Sequence, residues 1–305
     1  MNRRTLLQLP LAAAGRAAGA TPWMLGANTA IDGYGLLEAI QKIRELGFQA
    51  IEIHTMGDPE PRAGRFPGFQ FDRIPARQRD EIKSALAGFA RVTAHLPYTG
   101  LNYMASAEAV RTVEIAMEGT AFFGAKLAVL HPQPLPDSEL ETRWAEYLKR
   151  FRTWGDRALG LGLRLALETG YPRSVRGFVR LIREIAHEAV GATIDVGHQS
   201  RYEELTARVK PEDKAAPAGI RAYNDTTMAI VEQLGSKVFH FHVHDIDPRT
   251  WQEHKPLVHG FVDYPRLAAA LRMSGYTGLW MLEIGGAAEN LPSYLSDAKA
   301  KLAAI

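Results

Sequence analysis

Residues 240 to 245 read His-Phe-His-Val-His-Asp, three imidazoles on alternate positions with apolar side chains between them. Alternate residues of an extended strand share a face. His240, His242 and His244 therefore line one side, and Phe239, Phe241 and Val243 line the other. The apolar set needs a covering layer, which turns the histidines toward an interior. The same parity applied to other short apolar runs points His54, His95, His131, Glu168, Asp195 and Glu283 inward, each at the C-terminal end of its run. Glu52 also points inward, one layer below His54, and His198 comes three residues after Asp195. At least seven of the ten histidines thus gather with several carboxylates. Burying so many polar groups is costly unless partners or a metal ion satisfy them. The cluster implies a metal site. Oxygen-rich donor sets favour Mn²⁺, Mg²⁺ or Co²⁺, while imidazole-rich tetrahedral sets favour Zn²⁺. The further histidines His95, His131, His198 and His254 keep zinc possible.

These side chains need a scaffold that brings many strand ends together. Apolar runs at 23–28, 50–54, 91–95, 127–131, 164–168, 192–195, 238–245 and 279–283 read as strands. Helical patterns lie between them, several ending near Gly47, Gly124, Gly235 or Gly275, as helix C-termini prefer. Strict alternation of eight strands with helices implies a parallel sheet with right-handed crossovers. For a chain of 305 residues the economical closure is an α/β fold of the (β/α)8 TIM-barrel type, a single domain over residues 21–305. No Gly-x-Gly-x-x-Gly comes after the first strand, which argues against an open dinucleotide-binding sheet. Residues 55–73 and 197–223 are long connections on the strand-to-helix side, predicted to wall or cover the site.

Residues 1–20 differ in character from the rest of the chain. Arg3 and Arg4 precede Thr5-Leu6-Leu7-Gln8 and an alanine-rich stretch that ends Ala18-Gly19-Ala20. This layout matches a twin-arginine-like export signal with an A-x-A cleavage site. The expected location is periplasmic or otherwise exported, with no membrane anchor after signal cleavage. The chain has no cysteine, so disulfides and thiol chemistry are excluded. Its net charge of +2 gives no nucleic-acid footprint.

The segments "AHLPY" (94–98), "LHPQ" (130–133), "LALETG" (165–170), "IDVGH" (194–198), "HVHD" (242–245) and "LEIG" (282–285) are together similar to the xylose-isomerase-like barrel superfamily. It includes tagatose-type epimerases, inosose dehydratases and endonucleases of the endonuclease IV type. The resemblance implies Glu168, Asp195, His242 and Glu283 as metal ligands. It implies His198 as a substrate contact in epimerases and a ligand to a second metal in the nucleases. His95 and His131 resemble further zinc ligands of the nuclease branch. That branch also carries an Asp-x-His pair, where this chain reads Gln252-Glu253-His254, so Glu253 substitutes only if the loop shifts by one residue.

The chemistry implied is metal chelation of an α-hydroxy-carbonyl sugar, with Glu168 and Glu283 as acid and base around an enediolate. Isomerisation, epimerisation and β-elimination from a keto-sugar share this start. The expected partner is a small sugar or keto-sugar. Substrate contacts are assigned to His198, His95, His131, Tyr98, Asp245 and His254, with His244 at the rim toward substrate. Trp23, Tyr103, Tyr171 and Trp251 are further candidates for stacking on sugar faces, and Arg249 for a phosphate. Two other readings stay open, a zinc phosphodiesterase like endonuclease IV and a non-catalytic carbohydrate-binding barrel. A homo-oligomer is compatible with each.

Overall fold

The computed structural model describes residues 23–62, 66–132 and 137–305; the export-signal reading of residues 1–20 lies outside them. Eight strands, β1 (Met24–Asn28), β2 (Ala50–His54), β3 (Arg91–His95), β4 (Leu127–Leu130), β5 (Arg164–Glu168), β6 (Val190–Asp195), β7 (Val238–Val243) and β8 (Leu279–Leu282), close into one barrel in chain order. Every neighbouring pair is parallel, β1 to β8 included. Helices cover the outer face of every strand, which is why these runs are rich in apolar residues, while the buried polar residues among them point into the barrel. Strands β4, β7 and β8 stop one or two residues before the predicted ends, leaving His131, His244 and Glu283 just beyond them.

Eight principal helices cover the barrel: α1 (Leu36–Glu45), α2 (Ala76–Leu86), α3 (Ala107–Phe122), α4 (Trp144–Gly160), α5 (Val175–Ile185), α6 (Pro217–Leu234), α7 (Tyr264–Met273) and α8 (Leu291–Ala303). Helix α5 shows how the sequence dictates such an element. Ser174 caps it by accepting the Gly177 N–H, and Val175, Phe178, Val179, Ile182 and Ile185 form the buried stripe. Each such side chain contributes roughly 1.5–3 kcal/mol of burial. No described helix is long and apolar enough to cross a membrane.

The barrel floor departs from the predicted parity at one residue. Strict alternation puts Phe239 against the helices, yet it packs inside with Leu127, Val129 and Ala166. The β6–β7 register slips there, pairing Ala192 with Val238 but Thr193 with His240, so Phe239 is the extra residue of a bulge. Gly191 makes the room: a Cβ on it would stand 2.6 Å from the Phe239 ring and from the Lys237 carbonyl. Beyond the bulge the parity returns. Phe241 and Val243 join the outer core, and His240, His242 and His244 face inward.

Candidate metal centre

At the C-terminal mouth, β5, β6, β7 and β8 deliver four donors to one point. Atoms from Glu168, Asp195, His242 and Glu283 all lie within 4.8 Å of one another. His242 Nδ1 is 2.6 Å from Glu168 Oε1, 2.8 Å from Glu283 Oε2 and 3.9 Å from Asp195 Oδ2. Glu168, Asp195 and His242 are fully buried, while Glu283 keeps some exposure toward the cleft. Three carboxylates this close repel one another strongly in a low-dielectric interior. A single hard divalent cation satisfies that donor set, so the residues present fit the predicted group.

Each donor is held by its own chain environment. Asp195 and Thr169 lock β6 to β5 reciprocally: the Thr169 hydroxyl donates to the Asp195 carbonyl and accepts the Asp195 N–H. Asp195 Oδ1 also accepts the N–H groups of Gly197 and His198. His244 Nε2 lies 3.0 and 3.1 Å from the two Asp195 oxygens. Gly197 permits this packing, since a Cβ there would lie 2.5 Å from His244 Cε1 and from Glu253 Cβ. His244 is thus fully buried behind Asp195, rather than at the rim toward substrate where the sequence placed it.

Further imidazoles surround the four donors. His131 Nε2 is 2.7 Å and His95 Nε2 3.3 Å from Glu168 Oε2. His198 and His254 close the other side with Glu253, three groups whose donor atoms also gather within 4.8 Å. The Nδ1 atoms of His95, His198 and His254 sit 2.9, 2.8 and 2.9 Å from the carbonyls of Leu96, Thr169 and Glu283. A ring nitrogen facing a carbonyl carries the proton. All three rings therefore present Nε2 to their non-backbone neighbours. Glu253 reaches its place because Trp251 and His254, on either side of it, adopt positive φ (60° and 61°).

The buried charges act on one another across the cluster. Burial opposes ionisation of Glu168, but His131 and His242 hold it well below the usual carboxylate range. Against the same desolvation, His242 and His254 lower Glu283 to about 2. Burial also works against the His242 cation, yet Glu52, Glu283 and Glu168 raise it well above the usual imidazole range. Likewise Asp195, Glu168 and Glu253 overcome burial to raise His198 to about 9. His54 is the contrary case, lowered to about 4 by burial and by His95, against which its ring stacks.

Above the donors the cleft is lined by Tyr98, His131, Thr169, Gly170, His198 and Glu253, with Arg173 and Arg201 at its edge. Neither arginine was singled out by the sequence. Tyr98 is half-buried and stacks on His131 at 4.6 Å. Tyr171, buried, also borders the cleft. The remaining aromatic candidates lie elsewhere: Trp23 stacks on Trp280 outside the barrel, Tyr103 is buried with its hydroxyl donating to the His131 carbonyl, and Trp251 packs against Tyr223. Arg249 sits on an exposed turn capped by Asp247.

Asp245 needs the clearest correction. Coming directly after His244, it has the opposite parity and points away from the donors. Its Oδ1 accepts the N–H groups of Ile246, Phe261 and Val262, fastening the 246–262 loop to the end of β7. Motif spacing suggested a substrate contact; the fold makes it a buried loop anchor.

The long connections behave as walls. Phe69 N–H donates to the His54 carbonyl, and Phe66 stacks on the His54 ring at 5.6 Å, so the 55–73 connection folds back over β2. The 197–223 connection carries His198 on a 3₁₀ turn (His198–Arg201) directly beside Asp195.

No curated protein matches this chain by sequence. Among solved structures it resembles a D-tagatose 3-epimerase-like protein at 19% identity and TM-score 0.63, covering 92% of this chain and 99% of that one. It also resembles 3-keto-D-glucoside 4-epimerase from E. coli, at 19% identity and TM-score 0.63 over 93% of this chain and all (100%) of that one. A third is a xylose isomerase-like TIM barrel protein from Mycobacterium smegmatis in complex with magnesium, at 17% identity and TM-score 0.65 over 92% and 96% of the two chains. At such identities the likeness is one of fold. The family model for the xylose isomerase-like TIM barrel matches residues 40–303, and the chain belongs to that family.

Proposed function

We propose that this protein is a divalent-metal-dependent isomerase or epimerase of a small sugar or keto-sugar. The observation that carries the reading is the placement of Glu168 and Glu283 2.6 and 2.8 Å from one imidazole nitrogen, on β5 and just past β8, below an open cleft. Support comes from the fold shared with sugar epimerases and with a magnesium-bound barrel. The bound cation would supply the positive charge that polarises a substrate carbonyl and favours its enediolate.

The chain's own residues then handle protons. One of the two glutamates, ionised, takes the proton from the carbon beside the carbonyl. The other, ionised in the free protein and protonated from solvent once substrate is bound, returns a proton to the opposite face or to the neighbouring carbon, so one C–H bond breaks and one forms. Glu168 is steadied for this by His131 and His95. His198, anchored through Nδ1, holds a substrate hydroxyl, and Tyr98 covers a sugar face. Where the substrate bears a leaving group β to the carbanion, the same proton abstraction becomes a lyase reaction.

The test is NMR detection of deuterium uptake at the α-carbon of ketoses and 3-keto-glycosides incubated with metal-loaded protein in D₂O. Uptake is expected, and Glu168→Gln or Glu283→Gln should each reduce it by at least about 10²-fold, the lower end for acid–base catalysis. A second reading, a multi-metal phosphodiesterase, is favoured by one observation: His198, Glu253 and His254 converge as a further donor group. Three metal ions per chain and phosphodiester hydrolysis would select it. Export is part of the primary proposal, and an N-terminal residue near Thr21 in periplasmic protein would support it.

A further inference from the structure

Below the four donors, inside the barrel, lies an anion with no part in the proton transfers. Glu52 on β2 is fully buried. Its Oε2 accepts the Thr93 hydroxyl at 2.9 Å and lies 3.1 Å from His240 Nε2. Its Oε1 lies 3.0 Å from His242 Nε2, and neither of these two atoms has any hydrogen-bond partner among the described residues. They are close but poorly aligned, so each is the nearest group that can satisfy the other. Leaving both unpaired in an interior would be expensive.

We infer that Glu52 is a positioning residue, the carboxylate that holds His242 with its proton on Nε2 and its Nδ1 lone pair turned to the metal. The inference rests on the metal-centre reading of Glu168, Asp195, His242 and Glu283. Three features carry it. First, Glu52 on β2 and His242 on β7 meet inside the barrel from strands that are not neighbours, and among the described residues Glu52 is the only carboxylate paired with Nε2. Second, Thr93 and His240 engage the other oxygen, which fixes the carboxylate plane and leaves Oε1 for His242. Third, the role answers the tautomer question that an imidazole ligand poses. If Nε2 lacked a partner, the proton could sit on either nitrogen, and Nδ1 would present a lone pair only part of the time. Carboxylate partners of ligating histidines fix tautomer and ring orientation and raise donor strength. The bulge at Phe239 has a place in this too, because the register it restores beyond residue 239 is what turns His240 and His242 toward Glu52.

A second cation held by Glu52, His240 and His242 is the competing use of the same atoms. It is disfavoured because Glu52 Oε2 already has two partners, and the group is sealed and supplies a single negative charge.

The experiment measures Mn²⁺ affinity by calorimetry and the visible spectrum of the Co²⁺-loaded protein for wild type, Glu52→Gln and Glu283→Gln. Glu52→Gln keeps the shape and an acceptor for Thr93 but removes the charge. It should lower Mn²⁺ affinity about 10–100-fold and shift the Co²⁺ bands while circular dichroism stays native. Wild-type affinity and an unchanged Co²⁺ spectrum in Glu52→Gln, with binding lost in Glu283→Gln, would overturn the positioning role alone. Absence of Mn²⁺ binding in wild type would overturn the metal reading and this inference with it. Should Glu52→Gln fail to fold, Thr93→Val removes only the hydroxyl that steadies Glu52. A several-fold loss of affinity supports the role, and no loss overturns it.

Discussion

Replacing Asp245 separates an anchor from a substrate contact. Its Oδ1 accepts three N–H groups, from Ile246 at 2.9 Å, Phe261 at 2.7 Å and Val262 at 3.1 Å. Asp245→Ala orphans all three, and each unsatisfied buried donor costs about 1–3 kcal/mol. Phe261 and Val262 lie on a loop that can admit water, so the total expected is about 3 kcal/mol. At about 2 cal/mol/K of unfolding entropy per residue over the roughly 280 residues described, that corresponds to a fall of about 5 °C in Tm. Asp245→Asn keeps the acceptor and should cost far less. The pH dependence adds a signature. Burial raises the Asp245 pKa to about 6. Between the unfolded value of about 4 and this folded value, the native state binds more protons, so Asp245 makes wild type less stable as pH rises through that window. Asparagine cannot ionise, so Asp245→Asn should gain on wild type from about pH 4 to 6. Urea denaturation across that range reads both effects. An unchanged Tm in Asp245→Ala with a large loss of sugar turnover would refute the anchor and restore the substrate contact.

The geometry yields three further expected outcomes. Mn²⁺ at about 100 times its Kd should stabilise the protein by about 2.7 kcal/mol, roughly 4–5 °C in Tm; EDTA should reverse this, and Glu283→Gln should not respond, as differential scanning fluorimetry will show. In metal-free protein, His198 is raised to about 9. Its stabilisation is complete below the unfolded value of about 6.5 and lost as pH rises to about 9, a decline of at most about 3 kcal/mol that His198→Gln should abolish in denaturant titrations. Gly191→Ala places a Cβ 2.6 Å from the Phe239 ring and the Lys237 carbonyl. It should cost about 1–3 kcal/mol in urea denaturation, with partial rescue by Phe239→Leu.

The strands are readable because each is a short apolar run closed by turn signals, and a barrel covers both faces of every one. The predicted helix ends hold for a backbone reason: Gly47, Gly124, Gly235 and Gly275 all take positive φ. Parity carries the inward set, since His95, Glu168, Asp195 and His242 keep an unbroken period of two up to the mouth. Where the period breaks, the reading fails. Phe239 sits in a bulge that no residue type in β7 announces, although Gly191 opposite it is a usable signal. Asp245 is misassigned when motif spacing is carried past the end of the strand, where parity already points it outward. Glu253 depends on positive φ at Trp251 and His254, two residue types that give no warning of it. Parity places Glu52 correctly, one layer down, but its pairing with His242 needs the third dimension.

The central claim is that one divalent cation sits among Glu168, Asp195, His242 and Glu283. Anomalous diffraction from crystals of Mn²⁺-loaded protein tests it most directly. A single strong peak enclosed by those four side chains, with none between His198, Glu253 and His254, is the predicted result. A peak confined to the His198 group, or no peak within reach of His242 Nδ1, would contradict it.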